Sequence, residues 1–479
     1  MPRTGNSLTH PMWNTVRKFI YNFPELTYDG CRVRCTVCNV ALICRRRRDC
    51  ELHLNTKTHR NKRDGGPEKR RFYSDLCLAL ISCNIPFAIL DRTAFIAFWK
   101  RYAECELPSR TSLRNCLSFA REDIERRIKS ELNDKKLWLC VDETIDRKRQ
   151  TVVNVMVRTM EPHRPSPAIL LASKRFKKCS GNQILKVVLN SMSKLEISPQ
   201  QIMMFVSEGD ANMLSLAKSL KESANSNLLH ITCKINDLNL VTQTIRKSYP
   251  RVNDLISSTK ATLIKSLKRT RFHYKLSPDI PELPEPIITP QTTWLKSAIY
   301  YHRYFDHLKS IILKSDPEEA AITEKIHKIL TDPHVKEDLQ TIYNNYVELA
   351  EGIEKLQNVS ISFADSVRIL NDIHAQLNSI QGEKNKVVVE KFENVLNKNS
   401  DFHLLKLISE GATIEPLSSW RDYFEYANVT SLDVERSFSA LKHVYTARRL
   451  KLSENTAETY LMLGIFEKSY PRDNGLAGS

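Results

Sequence analysis

The chain has 479 residues, a formal net charge of +17 and a 41% hydrophobic fraction, enough for several domains with real cores. Only 12 glycines are present, and neither G-x-G-x-x-G nor G-x-x-x-x-G-K-[ST] occurs, which argues against a nucleotide cofactor. The longest apolar stretch, LCLALISCNIPFAIL, is too short and too broken to span a bilayer, so no membrane partner is expected. No signal peptide is read, and the 12 cysteines are expected to be thiols of a reducing compartment.

Residues 1–66 read as a basic zinc finger. Cys35 and Cys38 are separated by 2 residues, His53 follows after 14 more, and His59 after a further 5. Two thiolates and two imidazoles at this spacing suit a tetrahedral structural Zn2+. A metal also explains how so small a module folds, because binding free energy then serves as folding free energy. Val40, Leu42, Leu52 and Leu54 supply apolar residues between the ligands, and HLNTKTHR reads as the end of a short helix. Cys31, Cys44 and Cys50 are alternative ligands at poorer spacing.

Charge agrees with a nucleic-acid reader. Residues 1–71 hold 16 Lys and Arg against 6 Asp and Glu, an electrostatic footprint for phosphates. The candidate contacts are Arg45, Arg46, Arg47, Arg48, Lys57, Arg60, Lys62 and Arg63. Arg45 to Arg48 also read as a nuclear import signal, so the nucleus is the expected compartment and duplex DNA the expected partner. The His-x5-His spacing occurs as well in fingers that grip double-stranded RNA by shape, which keeps RNA open.

Residues 67–132 read as helical, with Phe95, Phe98, Trp99 and Tyr102 at helical spacing and breaks at Pro86 and Pro108. From 133 to 275 the texture changes. LWLCVD (137–142), TVVNVMVRT (151–159) and AILLAS (168–173) read as strands, NQILKVVLNSMSKL (182–195) as a helix and IMMFVSEGD (202–210) as a buried strand. ANMLSLAKSLKE (211–222) reads as a helix, LLHIT (228–232) as a strand and KINDLNLVTQTIRKS (234–248) as a helix. Three strands, then helix, strand, helix, strand, helix is the order of an RNase H-like fold.

Residues 276–400 read as a proline-rich linker and a long helical insertion, and 401–479 as the last part of that domain. A helix starting near Asp433 carries the stripe Val434, Phe438, Leu441 and Tyr445. A second follows Ser453, an N-cap candidate, and buries Tyr460, Leu461, Leu463 and Phe466. The expected class is therefore multidomain α/β plus α: a zinc finger, an RNase H-like mixed sheet interrupted by helices, and a C-terminal helical segment. Asp142 ends the first strand, Glu208 and Asp210 the fourth, and Glu435 sits on a late helix. Carboxylates so placed could hold Mg2+ ions for phosphoryl transfer, although acids at strand ends commonly serve solubility alone.

The tail, with VERSFS and then TARRLKLS, resembles the C-terminal dimerisation segment of hAT-superfamily transposases. CVDETID is similar to that family's first catalytic segment, FVSEGDANML to its second, CKINDLNL to its C-x-x-H-x-L-N-L element, and QTTWLKSAIYY to the stretch around its tryptophan. The finger fits the BED-like fingers of such proteins, and the whole is also similar to the CGG-repeat-binding group derived from hAT elements. The resemblance implies Asp142 as first catalytic aspartate, Glu208 or Asp210 as second carboxylate and Glu435 as final glutamate. It also implies Trp294 as a DNA contact at a flipped base, and Val434, Phe438, Leu441 and Tyr445 as a face for homodimers or higher oligomers. Three positions depart from the pattern: Glu208 replaces an aspartate, Asn236 a histidine, and Thr293 the arginine before Trp294. The expectation is a dimeric nuclear DNA-binding protein derived from a hAT transposase, weak or inactive in catalysis, acting in chromatin or transcription. It carries Zn2+, with Mg2+ only if active. An active transposase and a double-stranded RNA binder are the alternatives.

Overall fold

The computed structural model describes residues 20–471 apart from 21, 29–31, 39, 45, 64–65, 147, 266–289, 314–319 and 446–451. The chain divides into two compact units, Met1–Ile124 and Glu125–Ser479. In the first, strands β1 (Leu26–Tyr28), β2 (Val33–Cys35) and β3 (Val40–Leu42) form an antiparallel sheet in chain order. Helices α1 (Arg47–Leu54) and α2 (Lys57–Arg63) follow. Leu26 and Val33 form a small core with Cys35, Cys38, Cys44 and Cys50, so sulfur does much of the filling. Leu42 and Leu54 pack on this core, whereas Val40 and Leu52 are exposed. HLNTKTHR is two helices and not one: Asn55 caps α1, and the chain restarts two residues later.

Beyond the finger the first unit is helical: α3 (Gly66–Ser82), a 3-10 turn at Phe87–Asp91 entered through Pro86, and α4 (Thr93–Tyr102). Helix α5 (Arg110–Leu132) starts after Ser109, whose hydroxyl accepts the backbone N–H of Ser112 at 3.0 Å, and contains the boundary between the units.

The second unit is built on β4 (Leu137–Ile145), β5 (Thr151–Thr159), β6 (Ile169–Phe176), β7 (Ile202–Ser207) and β8 (Leu229–Thr232), in the order β6-β5-β4-β7-β8. The first three strands are antiparallel neighbours, while β4, β7 and β8 run parallel. Every residue of β7 is buried, as expected of an inner parallel strand covered on both faces. Parallel pairing needs long crossovers, supplied by α6 (Gly181–Lys194), which leads from β6 into β7, and α7 (Ala211–Ser223), which leads into β8. Ser180 and Gln183 form a capping box on α6, which buries Ile184, Val188 and Met192 at helical spacing. Helix α8 (Lys234–Ser248) leaves β8.

A helical layer follows: α9 (Pro250–Lys265), α10 (Pro290–Leu313), α11 (Ala320–Thr331), α12 (Pro333–Leu356), α13 (Phe363–Ser379), α14 (Glu383–Asn397) and α15 (Ser400–Ser409). Of these, α14 packs along α8 and so stands beside the end of β7. The chain then returns to the sheet. Helix α16 (Leu432–Val444) packs on β4 and β5, and α17 (Glu454–Ser469) on β6.

That return corrects one expectation. Val434, Phe438 and Leu441 are buried, and Arg175 lies 3.8 Å above the ring of Tyr445. The stripe covers the chain's own sheet, so it is not available as an oligomer surface. Two buried polar links fix the docking. Arg158 of β5 donates Nε to Asp433 Oδ2 at 2.7 Å, and Asn154 donates Nδ2 to Ser437 Oγ at 2.7 Å. On the other helix, Glu458 accepts the backbone N–H of Ser173 at 3.0 Å and Glu454 that of Arg175 at 2.7 Å.

Candidate metal centre and carboxylate cluster

Strand β2 ends on Cys35, the following turn supplies Cys38, the end of α1 His53 and the middle of α2 His59. One ligand atom from each lies within 4.8 Å of the other three. His59 Nδ1 is 3.2 Å from both sulfurs, and its other nitrogen, Nε2, is 2.7 Å from Glu25 Oε2. The His53 ring meets that of His59 edge-on at 4.9 Å, and His53 Nε2 is buried with no hydrogen-bond partner. One imidazole nitrogen between two thiols, beside an orphaned second nitrogen, is an arrangement that a tetrahedral cation satisfies. The group could hold a zinc ion. Glu25 is then the outer carboxylate that orients His59, a residue to which the ligand spacing gives no clue. Cys44 and Cys50 stand apart from this group and hydrogen-bond to each other. Burial raises both thiols, Cys50 to about 12.

Of the basic candidates, Arg46, Arg47, Arg48 and Lys57 are exposed. Arg47 pairs with Glu51 at 2.9 Å, Arg60 donates to Asn55 Oδ1 at 2.8 Å, and Arg63 is 3.9 Å from Glu25. Arg45, Cys31 and the side chain of Lys62 lie outside the described residues. Trp294 is 3% exposed within α10, so it is a core residue and presents no ring to a nucleic acid.

In the second unit, Asp142 is buried in β4, opposite Asn154. Glu208 follows the last residue of β7, and Glu435 comes from the first turn of α16. These three interact. Burial first, then the charges of Glu208, Glu435 and Asp210, hold Asp142 well above the usual carboxylate range against the opposing N–H of Glu143. Burial also raises Glu208, which Asn236 Nδ2 opposes by donating to its Oε1 at 2.6 Å. Glu435 is pushed up to about 7 by burial, with the Ser431 hydroxyl acting against the shift, and its Oε2 is buried without a partner. Asp210 plays a different part. Its side chain accepts the backbone N–H of Asn212 at 2.8 Å and of Met213 at 3.1 Å, capping α7.

Glu143 escaped the sequence reading. Burial raises its carboxyl, its charge raises Glu208, and its Oε2 has no partner. Strand β4 runs on past Asp142 to Ile145, so alternation turns these neighbours to opposite faces, and Glu143 Oε1 accepts from Asn212 Nδ2 at 3.4 Å. Glu208 also opens on a cleft of about 460 Å³ lined by Asn236, Asp237 and Gln243 on one side and by Lys391 of α14 and Lys398 just past its end on the other. Among the described residues, the group of three or more His, Cys, Asp or Glu side chains whose ligand atoms converge as a metal site is the finger's four.

Residues 106–262 match the family described as a domain of unknown function, DUF659, a domain found in hAT-type transposase-like proteins. The match takes in α5 through α8 and most of α9, with Asp142 and Glu208, and leaves the finger and Glu435 outside. No curated protein matches the chain.

Proposed function

We propose that the chain is a zinc-dependent, duplex-DNA-binding protein descended from a hAT-type transposase and that it acts in the nucleus on chromatin or transcription. One observation carries the reading: four zinc-type ligands converge in a module whose neighbouring Arg46, Arg48 and Lys57 are exposed. Zinc bound there supplies folding free energy to a core too small to stand alone. The arginines and lysines meet phosphates and give affinity without sequence preference. The sheet order β6-β5-β4-β7-β8 supports the descent, because an antiparallel trio extended by two parallel strands is the RNase H-like arrangement. The DUF659 match supports it over the same strands.

The test measures zinc content and binding of the full chain to a labelled duplex. About one zinc per chain is expected, with binding lost in Cys35→Ser. Log affinity should fall with log salt at a slope of about −0.9 per phosphate contacted. A metal-free protein that binds duplex equally well, or a flat salt response, overturns the reading. A strong preference for duplex RNA moves it to the RNA class.

A second reading has its own support: mutually repelling carboxylates at Asp142, Glu208 and Glu435 with an unpartnered Glu435 Oε2. Bound Mg2+ would neutralise such a cluster and polarise a phosphodiester, with Asp142, Glu208 and Glu435 as its oxygen ligands. Mg2+-dependent nicking of inverted-repeat DNA that vanishes in Glu435→Gln would favour an active enzyme.

A further inference from the structure

Helix α4 carries an aromatic stripe that the fold leaves uncovered. Phe95, Phe98, Trp99 and Tyr102 recur at the spacing that normally marks a face packed into a core, yet no residue of the helix is buried. Phe98 is 58% and Tyr102 69% exposed, and their rings lie 5.2 Å apart. The rest of the stripe is held firmly. Trp99 donates Nε1 to the Cys105 carbonyl at 2.8 Å, and its ring packs with Phe95 at 5.9 Å and Phe72 at 6.1 Å. An open pair of rings therefore stands on a fixed base.

The helix itself carries cations only; of the exposed carboxylates that flank it, Asp91 pairs with Arg110 at 3.2 Å and Glu106 with Lys69 at 3.6 Å, which leaves Glu104 beside a net positive surface. Arg92, Lys100 and Arg101 are exposed, α4 contains no carboxylate, and none of the three cations has an ion-pair partner among the described residues. Arg101 follows Phe98 by three positions, which makes them neighbours on the helix surface.

We propose that this surface binds an unpaired nucleic-acid strand, with bases stacked on Phe98 and Tyr102 and phosphates against Lys100 and Arg101. Charge selects the occupant. A second copy using the same face would bring like cations together across a two-fold axis, whereas a strand brings the opposite charge. Stacking selects the form of nucleic acid. A base in a single strand offers its π-face, while a duplex hides it inside the stack. The surface is separate from the finger, so one chain could hold a duplex and an adjoining single strand.

The test is anisotropy of a labelled oligothymidylate and of a labelled duplex, both titrated with the full-length protein at low ionic strength. Phe98→Ser/Tyr102→Ser should weaken strand binding about tenfold or more and leave duplex binding unchanged. Arg101→Glu should weaken strand binding while keeping every aromatic in place, and it carries the test should the double variant fail to fold. Strand affinity equal to wild type in the folded variants overturns the proposal. So does light scattering that finds a wild-type dimer converted to monomer by these substitutions with strand affinity intact, because the face would then belong to a second copy.

Discussion

Asn236 donates its side-chain amide to Glu208 across 2.6 Å, joining the first turn of α8 to the end of β7. Two of the three departures from the hAT pattern thus form one bonded pair: a glutamate where that family has aspartate meets an asparagine where it has histidine. The bond acts against the burial that raises the Glu208 carboxyl. Asn236→Ala should therefore cost about 1–3 kcal/mol near neutral pH, and less in acid where Glu208 is protonated. Urea titrations at the two pH values check it; an equal loss at both would show that the amide serves packing alone.

Arg158 and Asp433 form a second pair, each under a tenth exposed, with the guanidinium 5.6 Å above the Trp138 ring. Removing one partner strands a buried charge. Arg158→Met should cost about 3–5 kcal/mol, whereas Arg158→Met with Asp433→Leu should recover much of it. Thermal melts of the two single variants and the double variant give the coupling.

Phe438 is buried beneath α16. Phe438→Asp puts a carboxylate against the sheet, so the expected result is loss of cooperative unfolding, with a cost of more than about 3 kcal/mol. Calorimetry beside light scattering decides. A well-folded monomer derived from a wild-type oligomer would restore the stripe as an interface.

His230 gives the pH dependence. Its Nε2 is 2.9 Å from Ser207 Oγ, its ring stacks on Phe205 at 5.0 Å, and burial lowers its pKa to about 4. In the unfolded chain it takes up a proton near pH 6.5. Between those values the unfolded state binds more protons, so stability falls as the pH drops from about 6.5 to about 4 and is unaffected above that window. The contribution lost between about pH 7 and about pH 5 is about 2 kcal/mol. Subtracting the pH profile of His230→Gln, measured by urea midpoints, isolates it from the carboxylates, whose raised values act in the opposite direction.

Much of the sheet is legible because its strands are apolar runs of ordinary length bounded by turns. TVVNVMVRT is β5 to the residue, and KINDLNLVTQTIRKS is α8. Ser453 is readable as an N-cap, and its side chain accepts the N–H of Thr456. Other features are not local. The three-residue strands of the finger are too short to show a period, and only their pairing defines them. Val434, Phe438 and Leu441 announce an apolar face, but periodicity cannot say whether the chain's own sheet or another molecule covers it. Trp294 illustrates the same limit in reverse, since nothing in QTTWLKSAIYY distinguishes a core ring from an exposed one. Glu25 lies 34 residues from the histidine it touches, a relation that only the folded finger creates.

The carboxylates of Glu454 and Glu458 occupy the outward amides of β6, the outermost strand on that side of the sheet. They act as plugs. A chain cut ahead of Ser453 would keep the strands of its five-stranded sheet yet present a ready template for another copy to add to, and sheet-to-sheet polymerisation would follow. The last helix is thus a guard of solubility as well as a piece of the core.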